Sequence, residues 1–255
     1  MMQSKTLRKF LALAPITLCA CGGGSGGGDA GGGAINPPAI AAGVYDASFQ
    51  ALGEYGAMLV PGSGNAVYTT KSFVGFAALE PSGNTVNGTL RLLDRPIDDL
   101  NNEFPSAKDA SVSRMLTLAA GSGGAWSGSG AVLTPRAIVA QPLAAIPSLW
   151  RFRNLYRFAG NFLDYEIQID LTSAGDLTGF DTNGCQFTGR LTQIPSEPTY
   201  AAHISASSCG ATMLYIENGD YDGRAYVTQP PDQRLIVVAV NETRRLGLSL
   251  DLVPR

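Results

Sequence analysis

Short runs of alternating apolar and polar residues fill the chain beyond residue 42, and each run ends at Gly, Asn, Asp or Pro. Residues 167–172 alternate strictly, and a second such run covers residues 185–191 after the turn sequence Thr182-Asn183-Gly184. A period of two places successive side chains on opposite faces of a β-strand, and Asn-Gly accepts the positive φ of a tight hairpin. The pattern predicts an all-β fold, an antiparallel meander that closes into a barrel or packs as a sandwich.

Two segments interrupt this alternation. Residues 96–114 are mostly polar, and residues 135–153 carry prolines among apolar positions. Because proline cannot donate to a strand ladder, the second segment is the natural boundary between two halves. Two β subdomains are predicted, residues 39–150 and a barrel-like subdomain over residues 151–255.

The first twenty residues have the organisation of a bacterial export signal. Cationic side chains within positions 5–9 precede a nine-residue apolar stretch, residues 10–18, which is too short to cross a bilayer. The sequence Leu18-Cys19-Ala20-Cys21 resembles the lipobox of bacterial lipoproteins, in which Leu precedes two small residues and an obligatory Cys. The resemblance implies a signal peptide over residues 1–20, with diacylglycerol and a fatty acid such as palmitate on Cys21. The alternative is an ordinary secretory leader in which Cys21 is incidental.

A glycine-rich segment links Cys21 to the β-rich part of the chain. Residues 22–33 are Gly at all but three positions. Such a segment loses much entropy on ordering and has no side chains to bury, so residues 21–38 are predicted to be a disordered, flexible tether. Gly22, in place of the Asp of inner-membrane lipoproteins, favours the outer membrane by resemblance to their sorting rule. The predicted location is the cell envelope, with the domain lipid-anchored to the outer membrane and facing either the periplasm or the surface.

The two cysteines outside the leader are predicted to pair. Cys185 and Cys209 lie 24 positions apart in the strand-rich C-terminal half. An exported protein meets an oxidising compartment, where two remaining thiols in one domain usually form a disulfide. The alternative is a pair of buried free thiols.

Composition limits the partners and the chemistry. The net charge is −3 and charged residues make up 15% of the chain, so no basic face is available for nucleic acid. The single histidine, His203, and the paired cysteines leave no zinc-ligand set of the usual types. Asp98 and Asp99 are neighbours, which is more typical of a solvated charge pair than of an acid/base dyad. No catalytic residue, metal or cofactor is predicted, and the chain is not expected to be an enzyme.

Aromatic and cationic residues alternate near the boundary between the halves. The aromatic residues are Trp150, Phe152, Tyr156 and Phe158, and the arginines between them are Arg151, Arg153 and Arg157. Aromatic residues and arginine are enriched at protein interfaces, so this segment is the candidate patch for a protein partner. The alternative is an ordinary strand with one buried aromatic face.

Several motifs together resemble a family of uncharacterised β-proteobacterial lipoproteins. These are Cys21 with its glycine tether, the hairpin at residues 181–189, the later Cys209, and residues 223–226 leading to 239–244. The likeness covers residues 155–252 and implies no particular activity. A looser likeness to the barrel domains of surface lipoproteins that bind host proteins concerns architecture alone.

The leading functional hypothesis is a non-enzymatic envelope lipoprotein, attached to the membrane by its N-terminus, whose β domain binds a protein or has a structural role. One alternative is a barrel that carries a small apolar ligand in a partly unfilled interior. Another is a hydrolase that uses His203.

Overall fold

The computed structural model describes residues 39–210 and 216–255. The predicted signal peptide over residues 1–20, the predicted lipidation site Cys21 and the predicted tether over residues 21–38 lie outside the described residues. Sixteen strands and three single-turn 3-10 helices make up the regular structure of the described part, which confirms the all-β prediction. None of the helices in this part has the length and apolar character needed to span a membrane.

The first eight strands are β1 (Gly43–Phe49), β2 (Glu54–Val60), β3 (Ala66–Thr70), β4 (Phe73–Ser82), β5 (Thr85–Asp94), β6 (Ser106–Ala120), β7 (Trp126–Gly128) and β8 (Ala131–Arg136). The last eight are β9 (Leu149–Phe158), β10 (Asn161–Leu171), β11 (Asp176–Asp181), β12 (Gln186–Gln193), β13 (Tyr200–Ser207), β14 (Gly219–Val227), β15 (Leu235–Asn241) and β16 (Leu246–Pro254). The 3-10 helices are Gln50–Leu52, Ser122–Gly124 and Leu143–Ala145.

The last eight strands form a closed antiparallel barrel, named here the C-terminal barrel. Each strand from β9 to β16 pairs with the next along the chain. The ring closes where β16 returns to β9, with Val253 opposite Arg151. Closure leaves no exposed sheet edge along these ladders. The predicted antiparallel meander that closes into a barrel is therefore confirmed.

The first eight strands pair in a second ring, named here the N-terminal ring. Strands β1 to β8 follow one another in antiparallel order, and β8 returns to β1. The ring closes through β7, which has only three residues. The two rings are joined in one sheet because β16 also pairs with β6, with Leu246 opposite Lys108. The described residues form one compact unit.

The segments that interrupt the sequence pattern are shorter in the structure than expected. Strand β6 begins at Ser106, inside the polar segment 96–114, and the residues from Val112 to Met115 are all exposed. A strand with such an exposed stretch has no apolar alternation by which it could be recognised. The second segment separates β8 from β9.

Large aromatic side chains fill the C-terminal barrel. On β10 the inward positions are every second residue, including Tyr165, Ile167 and Ile169, each at most 1% exposed. The fully buried aromatic residues of this core are Phe104, Trp150, Tyr156, Tyr165, Phe187, Tyr200 and Tyr221. The N-terminal ring encloses a second core, which includes Met58, Tyr68 and Leu133.

A third apolar cluster lies between the two rings. Met58 of β2 belongs to the core of the N-terminal ring, whereas its neighbour Leu59 packs in the third cluster with Val238 of β15. The outer faces of strands from both rings thus pack against each other, and these strands are buried on both faces. Because burial of apolar area is the main stabilising term, this cluster holds the two rings as one body.

The connection between β5 and β6 fixes the N-terminal ring to the C-terminal barrel. Phe104 inserts into the core of the barrel and stacks on Tyr156, with ring centroids 4.0 Å apart. Arg95 donates from Nε to the carbonyl of Phe104 and from Nη1 to the carbonyl of Thr70. A residue from the N-terminal half is therefore part of the barrel core.

Asp98 is buried in this connection, so the expectation that it is a solvated charge is wrong. Its carboxylate accepts hydrogen bonds from the backbone N–H groups of Leu100, Asn102 and Arg157, at 2.7–3.0 Å. Burial alone raises the pKa of Asp98, but these hydrogen bonds and one from the Asn102 amide outweigh it and lower the pKa. Asp98 thereby pins the connection to β9.

Cys185 and Cys209 form the predicted disulfide. Cys185 belongs to the core of the C-terminal barrel, and Cys209 packs against that core just after β13. The bond closes a loop of 24 residues, for which the chain-entropy account gives about 3 kcal/mol of stabilisation.

Candidate functional site

The aromatic patch predicted on the β9 segment is not a surface. Trp150 and Tyr156 are fully buried in the core of the C-terminal barrel, and Phe152 packs against that core. Alternation along β9 places Arg151 and Arg153 outside instead. The side chain of Phe158 lies outside the described part. For Trp150, Phe152 and Tyr156 the prediction of an exposed contact patch is wrong, because the period of two separates them from the arginines.

A different apolar surface lies on the outer face of the same strands, named here the β9–β10 patch. Its apolar members are Leu100, Leu155 and Phe162, which are 45%, 47% and 61% exposed. Leu155 and Phe162 lie on neighbouring strands in diagonal positions, since Leu155 is opposite Asp164 and Phe162 is opposite Arg157. Apolar side chains this exposed on one face are a mark of interaction sites.

The connection between β5 and β6 brings Leu100 to this surface. The Asn102 side chain donates to the carbonyl of Leu155 at 3.0 Å, and the N–H of Asp99 donates to the carbonyl of Arg157 at 3.0 Å. The backbone of the connection thus runs along the outer edge of β9. These two contacts place the segment that contains Leu100 beside β9.

Arginines border the β9–β10 patch. Arg153 is paired with Asp164 at 2.5 Å, and this pairing lowers the pKa of Asp164. The guanidinium of Arg157 lies 5.6 Å from the centre of the Phe162 ring. Arg157 has no ion-pair partner within residues 39–210 and 216–255. The patch is therefore apolar with a cationic border.

A second candidate site is the groove between the two rings, named here the inter-ring groove. Its volume is about 650 Å³, and its walls come from the outer faces of β1, β2, β3 and β8 on one side and β14, β15 and β16 on the other. Ligand pockets typically span about 300–1,000 Å³. Three cationic side chains (Lys71, Arg95 and Arg136) and three carboxylates (Asp46, Glu103 and Asp251) line it.

Arg136 connects the two walls of the groove. Its guanidinium is ion-paired with Asp46 of the same ring and donates to the Tyr226 hydroxyl of the C-terminal barrel at 2.8 Å. Burial lowers the pKa of Arg136, but the hydrogen bond and charge of Asp46 and the contact with Tyr226 outweigh it and raise the pKa. Burial also raises the pKa of Tyr226. Arg136 stays charged and Tyr226 neutral at physiological pH.

Other polar residues that line the groove are also fixed by hydrogen bonds and an ion pair. Arg95 has a side chain only 7% exposed, and it is paired with Glu103 at 3.1 Å. Burial lowers the pKa of Arg95, and the charge of Glu103 opposes this. The hydroxyls of Thr69 and Ser249 lie 2.9 Å apart across the junction. The lining therefore consists of donors and acceptors that are already oriented.

The single histidine lies on an exposed strand face. His203 Nδ1 is 2.7 Å from Asp222, and Ser205 on the same strand donates to Asp220 at 2.5 Å. The Ser205 hydroxyl is thus hydrogen-bonded to the Asp220 carboxylate and not to the His203 imidazole. Over the described ranges, no three His, Cys, Asp or Glu side chains lie close enough together to hold a metal ion.

No protein-family model matches the chain, and neither a curated protein nor a solved structure matches it significantly. The function has to be inferred from the two surfaces. Leu155 and Phe162 could have been found from the sequence by following the outward positions of two paired strands. The inter-ring groove could not, because its walls come from strands that are far apart in the chain.

Proposed function

We propose that this chain is a lipid-anchored envelope protein that is not an enzyme and that binds a protein partner through the β9–β10 patch. The observation that carries the proposal is the exposure of Phe162 and Leu155 on a closed, rigid barrel wall. Interface cores are rich in aromatic residues and arginine, and they are surrounded by polar side chains. The partner that fits is a protein with an apolar surface bordered by acidic side chains, because Arg157 lies beside Phe162 and has no ion-pair partner among the described residues.

The anchor part of the proposal rests on the lipobox residues and on the glycine tether that follows Cys21. We expect Cys21→Ala to abolish lipidation and release the protein from the membrane fraction, since no acyl chains would remain. Cys19→Ala is the matched control and should leave the protein with the membranes. Unchanged sedimentation of the Cys21→Ala protein with membranes would refute the anchor.

The partner-binding part is tested by photo-crosslinking on intact cells that express the full chain. A photoreactive phenylalanine at position 162 should yield one adduct of defined mass. The same group at Thr188, an exposed position on the outer face of β12, is the control and should yield none. The adduct should disappear when Leu155→Ser is added and weaken with Arg157→Glu, because both the apolar centre and the cationic border are required. Equal capture from both positions, or none from position 162, contradicts the proposal.

The two alternative functions have less support. A small apolar ligand would need free space in the C-terminal barrel, whereas large aromatic side chains from several strands occupy that interior. A hydrolase would need a nucleophile that the imidazole can deprotonate, and Ser205 donates to Asp220.

A further inference from the structure

The inter-ring groove has a chemical character unlike that of the β9–β10 patch. Its three cationic and three carboxylate side chains balance, so the lining has no net charge. Hydroxyl groups are frequent in it and include those of Ser48, Thr134 and Tyr226. Tyr55, Val132, Tyr226 and Ile236 add apolar surface between these polar groups. A charged ligand would find no excess of the opposite charge, and an apolar ligand would leave the polar lining unpaired.

Four of the six charged groups of the groove are held in place by one another. Arg136 is fixed by Asp46 and Tyr226, and Arg95 by Glu103 and backbone carbonyls. A carboxylate that is paired with arginine keeps acceptor capacity for further hydrogen bonds. Preoriented donors and acceptors side by side match a ligand whose groups both donate and accept, and hydroxyl groups do both.

An aromatic ring stands at the rim of the groove. Tyr55 of β2 lines the groove and is 74% exposed, the highest exposure of any large apolar side chain in the described part. An exposed tyrosine offers a flat apolar face beside a polar tip. A sugar ring has the complementary form, since its C–H groups form an apolar face and its hydroxyls surround the edge.

From this combination we infer that the inter-ring groove is a binding site for a neutral oligosaccharide. The C–H face of one sugar stacks on Tyr55, and the hydroxyls of the chain exchange hydrogen bonds with the fixed Asp46–Arg136 pair and the hydroxyl-bearing side chains. The site is separate from the β9–β10 patch and does not depend on it. The neutral lining distinguishes it from a site for an acidic peptide or a phosphate.

Saturation-transfer NMR on the full chain tests this inference. The protein is kept in a detergent without a sugar headgroup, because such a headgroup would itself compete. The probes are chitotetraose, a chain of N-acetylhexosamines, and maltotetraose, a chain of plain hexoses; tetragalacturonate is the acidic counterpart. We expect one neutral probe to bind with a Kd in the millimolar range or tighter, and which one binds distinguishes the two glycan types.

Two variants assign the binding to the groove. Tyr55→Ala should weaken the neutral probe about tenfold by removing the stacking face, and Asp46→Asn should weaken it by releasing Arg136. Phe180→Ala, which changes an exposed aromatic residue of the C-terminal barrel wall, is the control and should bind as the parent does. The inference is overturned if neither neutral probe binds up to about 10 mM, if only tetragalacturonate binds, or if Tyr55→Ala and Asp46→Asn bind the neutral probe as tightly as the parent.

Discussion

The C-terminal barrel and the N-terminal ring have the same number of strands in the same order, yet they are stabilised differently. The barrel closes where β9 and β16 meet in two residue pairs, contains a disulfide, and is filled by large aromatic side chains. The ring closes through the three-residue β7 and has a core with fewer large aromatic residues. Part of its apolar surface faces outward, against the barrel.

This difference shows how the N-terminal ring and the C-terminal barrel combine into one folded body. The core of the barrel includes Phe104, which belongs to the other half of the chain, and Ile146 from the segment before β9. The ring contributes the Phe104 side chain and uses the barrel wall to bury its own outer residues. Each half therefore completes the other, and we expect residues 39–255 to unfold in a single transition.

The largest predicted effect comes from the residue that crosses between the halves. Phe104→Ala should lower the free energy of unfolding by about 4 kcal/mol, because it leaves a cavity beside Tyr156 in a close-packed core. Chemical denaturation followed by tryptophan fluorescence and by circular dichroism measures it. Phe162→Ala, at an exposed position, should change the stability by no more than about 0.5 kcal/mol. If Phe104→Ala proved as mild as this control, the two halves would not depend on each other.

The next largest effect on stability comes from the disulfide, which lies within the C-terminal barrel. Replacing Cys185 and Cys209 together by Ala should lower the free energy of unfolding by about 3 kcal/mol, because the unfolded chain regains the freedom of the closed loop. Reduction of the parent protein should give a similar loss. An unchanged denaturation midpoint in both experiments would mean that the bond does not constrain the unfolded chain.

A smaller effect, dependent on pH, comes from Asp98 in the connection between the halves. Asp98→Asn should cost about 2 kcal/mol at neutral pH, since it replaces a charged acceptor of several N–H groups. The pKa of Asp98 is lowered in the folded protein. Its stabilisation is therefore fully present above the unfolded pKa of about 3.9 and is lost as the pH falls through the lower folded value.

Thermal melts of the parent and of Asp98→Asn between neutral pH and acid measure this dependence. The difference between them should stay constant down to about pH 4 and shrink below it. Asp99→Asn is the matched control. Asp99 is exposed, and among the described residues its carboxylate accepts a hydrogen bond only from the backbone N–H of Ala159. A difference that grew towards acid would contradict the lowered pKa.

The two halves also differ in how far their sequence reveals them. In β10, alternation identifies the strand and its inward face, because one face is buried and the other is exposed. In β15 the neighbours Val237 and Val238 are both buried, one in the barrel core and one between the rings, so alternation is absent. A single sequence cannot distinguish these two kinds of burial, and it therefore gave no indication of the groove between the rings.

The candidate site was predictable only in part, for a related reason. The segment from Trp150 to Arg157 is rich in aromatic residues and arginine, but its aromatic side chains face the core of the C-terminal barrel. The exposed member Phe162 lies on the next strand, and Leu100 is brought in by a connection whose path depends on the buried Asp98. The hydrogen bonds that a buried carboxylate makes within a loop leave no periodic pattern in the amino-acid sequence.

If the chain is held by its N-terminus, as proposed above, strand β1 has a mechanical consequence. It pairs along its length with β2 on one side and β8 on the other, and it begins at Gly43, directly after the segment through which the tether would pull. A force along the strand axis meets ladder hydrogen bonds that lie perpendicular to it, so both ladders are loaded in shear at once and cannot be peeled open bond by bond. The tether would thus meet the domain at a point suited to bear load under flow.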